Sequence, residues 1–271
     1  MAELAAAIKA AKTFSWADVA FGGRNLLGVL NVSTVSQAAA ALKTKSDAKD
    51  YSGLRLGDYL DITSSYGEYG TLTVRYEIAS MGQYHWFWSG SELVYDLGNI
   101  VFLATVAPFL RQIGTSAAQK EYFTSPMNTF LTGTVAPALE NALGVTLKRP
   151  VLYQSYNNGT YDSPDWSTDP NNWDDDNPEQ YASPKVYLPS IREFFGTAEY
   201  GCPYMDNSHQ FPLFTVRPNL IPVRNTNGVY IWSWSRTPSH NPGNFCFVGG
   251  NGNSYHSSAS YTSGVRPAFC L

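Results

Sequence analysis

The chain has 271 residues, a formal net charge of −4, 44% apolar residues, only 15% charged residues and a high 14% of aromatics. This length buries one good core in one or two domains, and an acidic chain without a basic stripe has nothing to neutralise a nucleic-acid backbone. A membrane span is excluded as well, because the longest apolar stretch, Ile100 to Leu110, is about half the required length and contains Pro108. Asn, Ser, Thr, Tyr and Gly must carry solubility, a mixture common on recognition surfaces. Met1 to Lys12 is Ala-rich with Glu3, Lys9 and Lys12. It reads as a short amphipathic helix and carries no signal-peptide pattern. Thr13 to Ala20 and a Gly22-Gly23 turn follow, then an Ala-rich helix near Val35 to Lys49. Arg55 to Thr63 reads as a turn running into a strand, and Gly70 to Ala79 alternates β-branched and polar residues as a strand does.

Ser125 followed by Pro126 signals a helix N-terminus, with the stop at Gly144. Pro137 interrupts that run, which predicts two short helices or one kinked helix. Tyr156 to Pro184 is a loop insertion crowded with Asp and Asn and anchored by Trp166 and Trp173. Its carboxylates and amides over 162–179 offer the hard oxygen ligands of a Ca²⁺ site. The spacing is not that of an EF-hand, and a solvated acidic loop is the alternative; no other cofactor is indicated. Lys185 to Gly196 reads as a strand ending in Pro189-Ser190 and opening a short capped helix. The odd set Cys202, Cys246 and Cys270 lacks Cys-x-x-Cys spacing, and predicts small apolar core residues in place of a disulfide framework. Cys246 and Cys270 could then lie on adjacent strands unbonded.

The C-terminal part reads as strand, polar loop, strand, polar loop and terminal strand: Val229 to Pro238, a turn at Ser239 to Gly243, Asn244 to Val248, a polar run 251–263, and Gly264 to Leu271. Trp232-Ser-Trp-Ser-Arg236, Phe247-Val-Gly-Gly-Asn251 and the closing Gly264-Val-Arg-Pro-Ala-Phe269 resemble an uncharacterised domain family found in phages of gut bacteria, whose members close with a Gly-Val-Arg-Pro-Ala strand. Leu56-Gly-Asp58 and Leu188-Pro-Ser-Ile-Arg-Glu-Phe-Phe-Gly196 are similar to further motifs of that family. The terminal layout also resembles the C-type-lectin-fold variable proteins of diversity-generating retroelements. The resemblance implies a single α+β domain with a C-type-lectin-like fold of the formylglycine-generating-enzyme-like subtype. To that domain are added N-terminal helices and strands (1–150) and, in 151–271, the acidic loop and a variable ligand-binding region at 229–271.

In such elements mutation at template adenines turns Asn codons into codons for Asn, Ser, Tyr, His, Asp and Gly. Ten of the thirteen residues from 251 to 263 are Asn, Ser, Tyr or His. The implied ligand-binding set is Ser233, Ser235, Ser239, His240, Asn241, Asn244, Asn251, Asn253, Ser254, Tyr255, His256, Ser257, Ser258, Ser260, Tyr261 and Ser263. A plain polar loop is the alternative. Trp232, Trp234, Phe245, Phe247 and Phe269 would hold the backbone from underneath, and Arg266 would be a structural anchor.

Chemistry is not encoded in any pattern that can be recognised. The histidines His85, His209, His240 and His256 are scattered, and no zinc-protease, nucleophile-elbow or phosphate-loop motif occurs. His240-Asn-Pro-Gly243 is not the calcium-lectin sugar motif, and the cysteines do not map onto those of the formylglycine-generating enzymes. The expectation is therefore a non-enzymatic, hypervariable receptor-binding protein of a phage or mobile element. It would sit on the virion, at the tail or surface, or in the host cytoplasm before assembly. Its partner would be a host-surface protein or glycan, with neither nucleic acid nor membrane insertion involved and the oligomeric state left open. A structural tail or capsid-decoration protein without diversified binding is the alternative.

Overall fold

The computed structural model describes residues 23–84, 86–89, 92–96, 98–116, 119, 121–153, 181–196, 209–239, 241 and 243–271. The expected N-terminal helix, the segment 13–20, Gly22, the acidic loop over 162–179, Cys202, His85 and His240 lie outside the described residues. The chain runs α1 (Leu26–Val29), α2 (Val35–Asp47), β1 (Tyr59–Ser65), β2 (Thr71–Met81), β3 (Trp86–Ser89), β4 (Glu92–Tyr95), β5 (Ile100–Ala104) and β6 (Phe109–Arg111). It continues with α3 (Pro126–Phe130), a π turn (Leu131–Val135), α4 (Ala136–Leu143), β7 (Leu152–Tyr153), β8 (Tyr181–Ala182), β9 (Val186–Tyr187), α5 (Ile191–Phe195) and α6 (Pro212–Val216). The C-terminal part holds β10 (Val223–Arg224), β11 (Tyr230–Ile231), β12 (Ser233–Pro238), β13 (Asn244–Val248), β14 (Ser254–Ser258), β15 (Ser263–Val265) and β16 (Ala268–Cys270).

This is a mixed α+β domain organised by two five-stranded sheets, ordered β1-β2-β5-β16-β9 and β14-β13-β12-β15-β6. The first draws on both ends of the chain, since β16 lies between β5 and β9 and pairs antiparallel with each. Helix α4 packs on β1, α2 packs on α4, and α6 packs on β2. Every residue of β5 and β16 is therefore buried, as a strand covered on both faces requires. Phe102 stacks on Phe269 in this core, with ring centroids 5.3 Å apart.

Local sequence accounts for several of these elements. Thr34 and Gln37 close a capping box on α2, satisfying N–H groups that the first helical turn leaves without partners. The helix beginning at Ser125 is one continuous run to the left-handed Gly144. Pro137 sits two residues beyond the π turn, where the Ala136 N–H reaches back five residues to the Leu131 carbonyl. A proline ring clashes with the carbonyl four residues earlier, here that of Gly133. The wider turn relieves that clash, so the run is neither broken nor split.

Two expectations are corrected. Cys246 is disulfide-bonded, and Cys270 is a free, buried thiol. They are not on adjacent strands, because β13 belongs to the second sheet and β16 to the first. The polar run 251–263 is not a simple loop either. It contains β14, which pairs with β13 from Asn244↔Ser258 to Val248↔Ser254, and it enters β15 at Ser263.

Candidate functional site

The second sheet is held from inside by a charged lock. Ser190 caps α5 and Glu193 completes the capping box. The Glu193 carboxylate accepts from Ser190 N–H (2.8 Å), from Arg236 Nη1 (2.6 Å) and Nη2 (3.1 Å), and from the Tyr84 hydroxyl (2.6 Å). Arg236 also donates to the Leu188 carbonyl at 3.0 Å. Both charged groups are buried, and such a pair is tolerated because both carboxylate oxygens find donors. Burial, reinforced by the Glu193 charge, raises the Tyr84 pKa well above the ordinary tyrosine value, so that hydroxyl stays a donor. The motifs Leu188 to Gly196 and Trp232 to Arg236 are thus the two halves of one lock between α5 and β12.

Arg266 does the same work between the sheets. It is buried and donates to the carbonyls of Ala104 (2.7 Å) and Leu220 (2.9 Å). Its guanidinium lies over Phe214. Burial lowers its pKa to about 10, still high enough to keep it charged, and its role is that of a structural anchor. Near the start of the described chain Asp58 is buried and receives Arg24 Nε (3.0 Å) and Nη2 (2.6 Å), together with the Arg55 N–H (3.0 Å). This gives the Leu56-Gly57-Asp58 turn its physical meaning.

On the second sheet four rings stack across the strands in the order Tyr255, Phe247, Trp232, Tyr261. Successive centroids lie 5.7, 4.8 and 5.9 Å apart, with interplanar angles of 26°, 21° and 32°. Phe247 and Tyr255 are paired residues of β13 and β14, and Trp232 and Tyr261 reach the row from just before β12 and β15. Trp232, Tyr255 and Tyr261 are 46, 42 and 53% exposed, whereas Phe247 is 4% exposed. Tyr230 and Val229, also exposed, extend the patch.

The frame beneath is rigid. Trp234, fully buried, meets Phe247 edge-on and donates its indole N–H to the Arg111 carbonyl at 3.0 Å. Trp232's own carbonyl accepts from Gly264 N–H and from the Ser263 hydroxyl, each at 2.8 Å. A side chain at Gly264 would meet that carbonyl at 2.7 Å, so only glycine permits this parallel pairing. At the other end the Tyr255 ring rests on Gly249, where a Cβ would come within 2.7 Å of it. The Asn251 amide donates to the Tyr255 hydroxyl at 2.8 Å and, as the first cause, lowers its pKa from the usual tyrosine value.

The residues expected to bind ligand divide by exposure. Asn251, Asn253, Tyr255 and Tyr261 are exposed, and Asn241, Asn244, His256, Ser257, Ser258 and Ser260 are half-buried. Ser233, Ser235, Ser239, Ser254 and Ser263 are buried; the Ser235 hydroxyl donates to the Cys246 carbonyl at 2.9 Å, and Ser239 shares a 2.6 Å hydrogen bond with His256 Nδ1. These five are unavailable to a partner in this conformation. Trp232, expected underneath, is instead the centre of the exposed patch. Alternation with Ser233 and Ser235 puts Trp232 on the Trp234 side, and only its position at the strand's open end gives its exposure.

Among the described residues no group of three His, Cys, Asp or Glu side chains is arranged to hold a metal, and no helix is long and apolar enough to cross a membrane. The architecture so defined is an α+β domain carrying an aromatic stack on a locked sheet. The family described as a domain of unknown function (DUF6273) matches residues 110–271, more than half of the chain, and the chain belongs to that family. The two lock motifs and the Gly264 to Phe269 segment fall inside the matched span, and Leu56-Gly57-Asp58 precedes it. No curated protein and no solved structure matches the chain.

Proposed function

We propose that this chain is a non-enzymatic receptor-binding protein of a phage or mobile element, with a C-type-lectin-like fold, that engages a host-surface ligand through the outer face of its second sheet. The observation that carries this reading is the exposed stack Tyr255, Phe247, Trp232 and Tyr261. Contiguous exposed apolar surface on a folded domain marks an interaction site. Trp and Tyr are also the residues in which binding energy concentrates, because they offer much contact area at low entropy cost. Asn251 and Asn253, whose side chains reach the Tyr255 hydroxyl, border that end of the stack with adaptable hydrogen-bonding groups. The return of β16 between β5 and β9 supports the lectin-like reading, since it joins the chain's last strand to the sheet built from its first ones.

Diversification by a retroelement is part of the proposal, narrowed to the positions with exposure. Population sequencing of the gene's 3′ end tests it. Adenine-centred substitutions concentrated at codons 241, 244, 251, 253, 255–258, 260 and 261, with codons 233, 235 and 264 constant, support it. Uniform low variation would mean a fixed structural tail or decoration protein. Binding of the purified chain to host cells gives the functional arm: Trp232→Ala with Tyr261→Ala should abolish it, and undiminished binding sinks the assignment to this face.

A further inference from the structure

Away from that face, an open cleft of about 670 Å³ lies between the turn after β1, strand β6 and the π turn. Its walls include Arg111, Glu68, Thr124, Phe130, Gly133 and Thr134. This volume lies in the range of small-molecule sites. The π turn that forms one wall is a feature that recurs at functional sites, and here it follows from Pro137. A side chain on Gly133 would meet nothing within 4 Å, so that wall opens onto free space.

The cleft is charged asymmetrically. Arg111 is the one cation among the lining residues, and its guanidinium lies 4.3 Å from the centre of the Phe130 ring, which fixes it in place. Its carboxylate partner, Glu68, is 68% exposed at a turn tip. Exposed ion pairs are weak, so an incoming carboxylate can take Glu68's place on a guanidinium fork already positioned to receive it. Around the fork stand the hydroxyl-bearing Thr124, Thr129 and Thr134, the Thr124 hydroxyl donating to Glu121 at 3.2 Å. Glu121, bonded to Thr124, adds a second negative charge beside the cleft, which disfavours a dianion such as phosphate. Phe130, Pro126 and Tyr66 supply apolar surface for carbon–hydrogen faces.

One cation, several hydroxyl partners and an apolar wall match a hydroxylated monocarboxylic acid. The geometry points to a second binding site, in this cleft, for an acidic sugar residue whose carboxylate pairs with Arg111. The site is separate from the aromatic face, and its fate does not depend on the function proposed for that face.

Titration of the full chain with sodium glucuronate, glucose and inorganic phosphate, followed by calorimetry and by amide NMR, tests this. Saturable glucuronate binding in the low millimolar range is expected, with shifts at Gly67, Gly133 and Thr134 and with glucose and phosphate about tenfold weaker or worse. Arg111→Gln should abolish the binding and Gly133→Leu should block it sterically. Glu68→Gln should tighten it several-fold by removing the competing carboxylate. That sign keeps the test decisive should Arg111→Gln fail to fold. Absence of saturable glucuronate binding, equal binding of glucose, preference for phosphate, shifts confined to the Trp232 indole, or weakening by Glu68→Gln would each overturn the proposal.

Discussion

The two five-stranded sheets are built to opposite ends. In the first, β5 and β16 are buried throughout, helices lie over the sheet, and aromatic pairs such as Phe102 and Phe269 meet face to face inside the core. In the second, the same stacking geometry appears between Trp232 and Phe247, yet Trp232 stands half in solvent over the buried Phe247. A free aromatic stack of that kind gains less than a buried one, because the transfer of apolar area from water is incomplete. It persists because charged and backbone locks beneath it hold the strands. The difference separates what keeps the chain folded from the face proposed to meet a partner.

Breaking the lock should have the largest effect. Arg236→Met leaves the Glu193 carboxylate buried and unpaired, and a cost of about 3–5 kcal/mol is expected, read as a lowered denaturation midpoint. The double variant Arg236→Met with Glu193→Leu should recover much of that loss. If Arg236→Met alone costs under about 1 kcal/mol, the lock does not hold the sheet.

Gly264→Ala comes next, at about 1–3 kcal/mol, since the added methyl must displace the Trp232 carbonyl. Its aromatic face should be disturbed as well, visible as altered near-ultraviolet circular dichroism. Trp232→Ala should cost only about 1–2 kcal/mol, roughly two ring contacts, while removing cell binding, and this contrast between small stability loss and large binding loss sharpens the comparison most directly.

The smallest effect concerns Cys270. Burial raises its thiol pKa to about 12, with Tyr187 hydrogen-bonded nearby opposing the rise. The folded state therefore holds the neutral thiol, a contribution present at neutral pH and lost only as pH climbs toward that value. Maleimide labelling at about pH 8 should modify Cys270 only after denaturant is added. Labelling of the native chain would show that the first sheet opens more readily than its burial implies.

Much of the fold was legible from local rules. The Ser125-Pro126 start, the Gly144 stop, the Ser190/Glu193 box and the strand at Asn244 to Val248 are set by capping chemistry and β-branched or aromatic runs, which act over a few residues. What escaped depends on distant partners. The strand at Ser254 to Ser258 has no apolar alternation of its own and exists because β13 offers it an edge. The Cys246 disulfide and the π turn at 131–135 likewise depend on three-dimensional neighbours or on helix geometry that spacing does not display. At the candidate site, composition singled out a segment but could not sort its serines. Ser233, Ser235 and Ser263 look the same in sequence as Ser257 and Ser260, and only strand pairing turns some inward.

The order of the ring stack has a consequence for how this surface can change over time. Phe247 and Trp232 each touch two rings in the row, whereas Tyr255 and Tyr261 each touch one. Exchange at an end forfeits a single contact worth about 0.5–1.5 kcal/mol, while exchange in the middle forfeits two. Tyr261, at one end, is the most open to water of the four, and Phe247, in the middle, the least. On the proposed binding role, a lineage would rewrite the outer positions at least cost while the middle pair stays fixed, keeping a constant hydrophobic footing beneath a changing chemical signature.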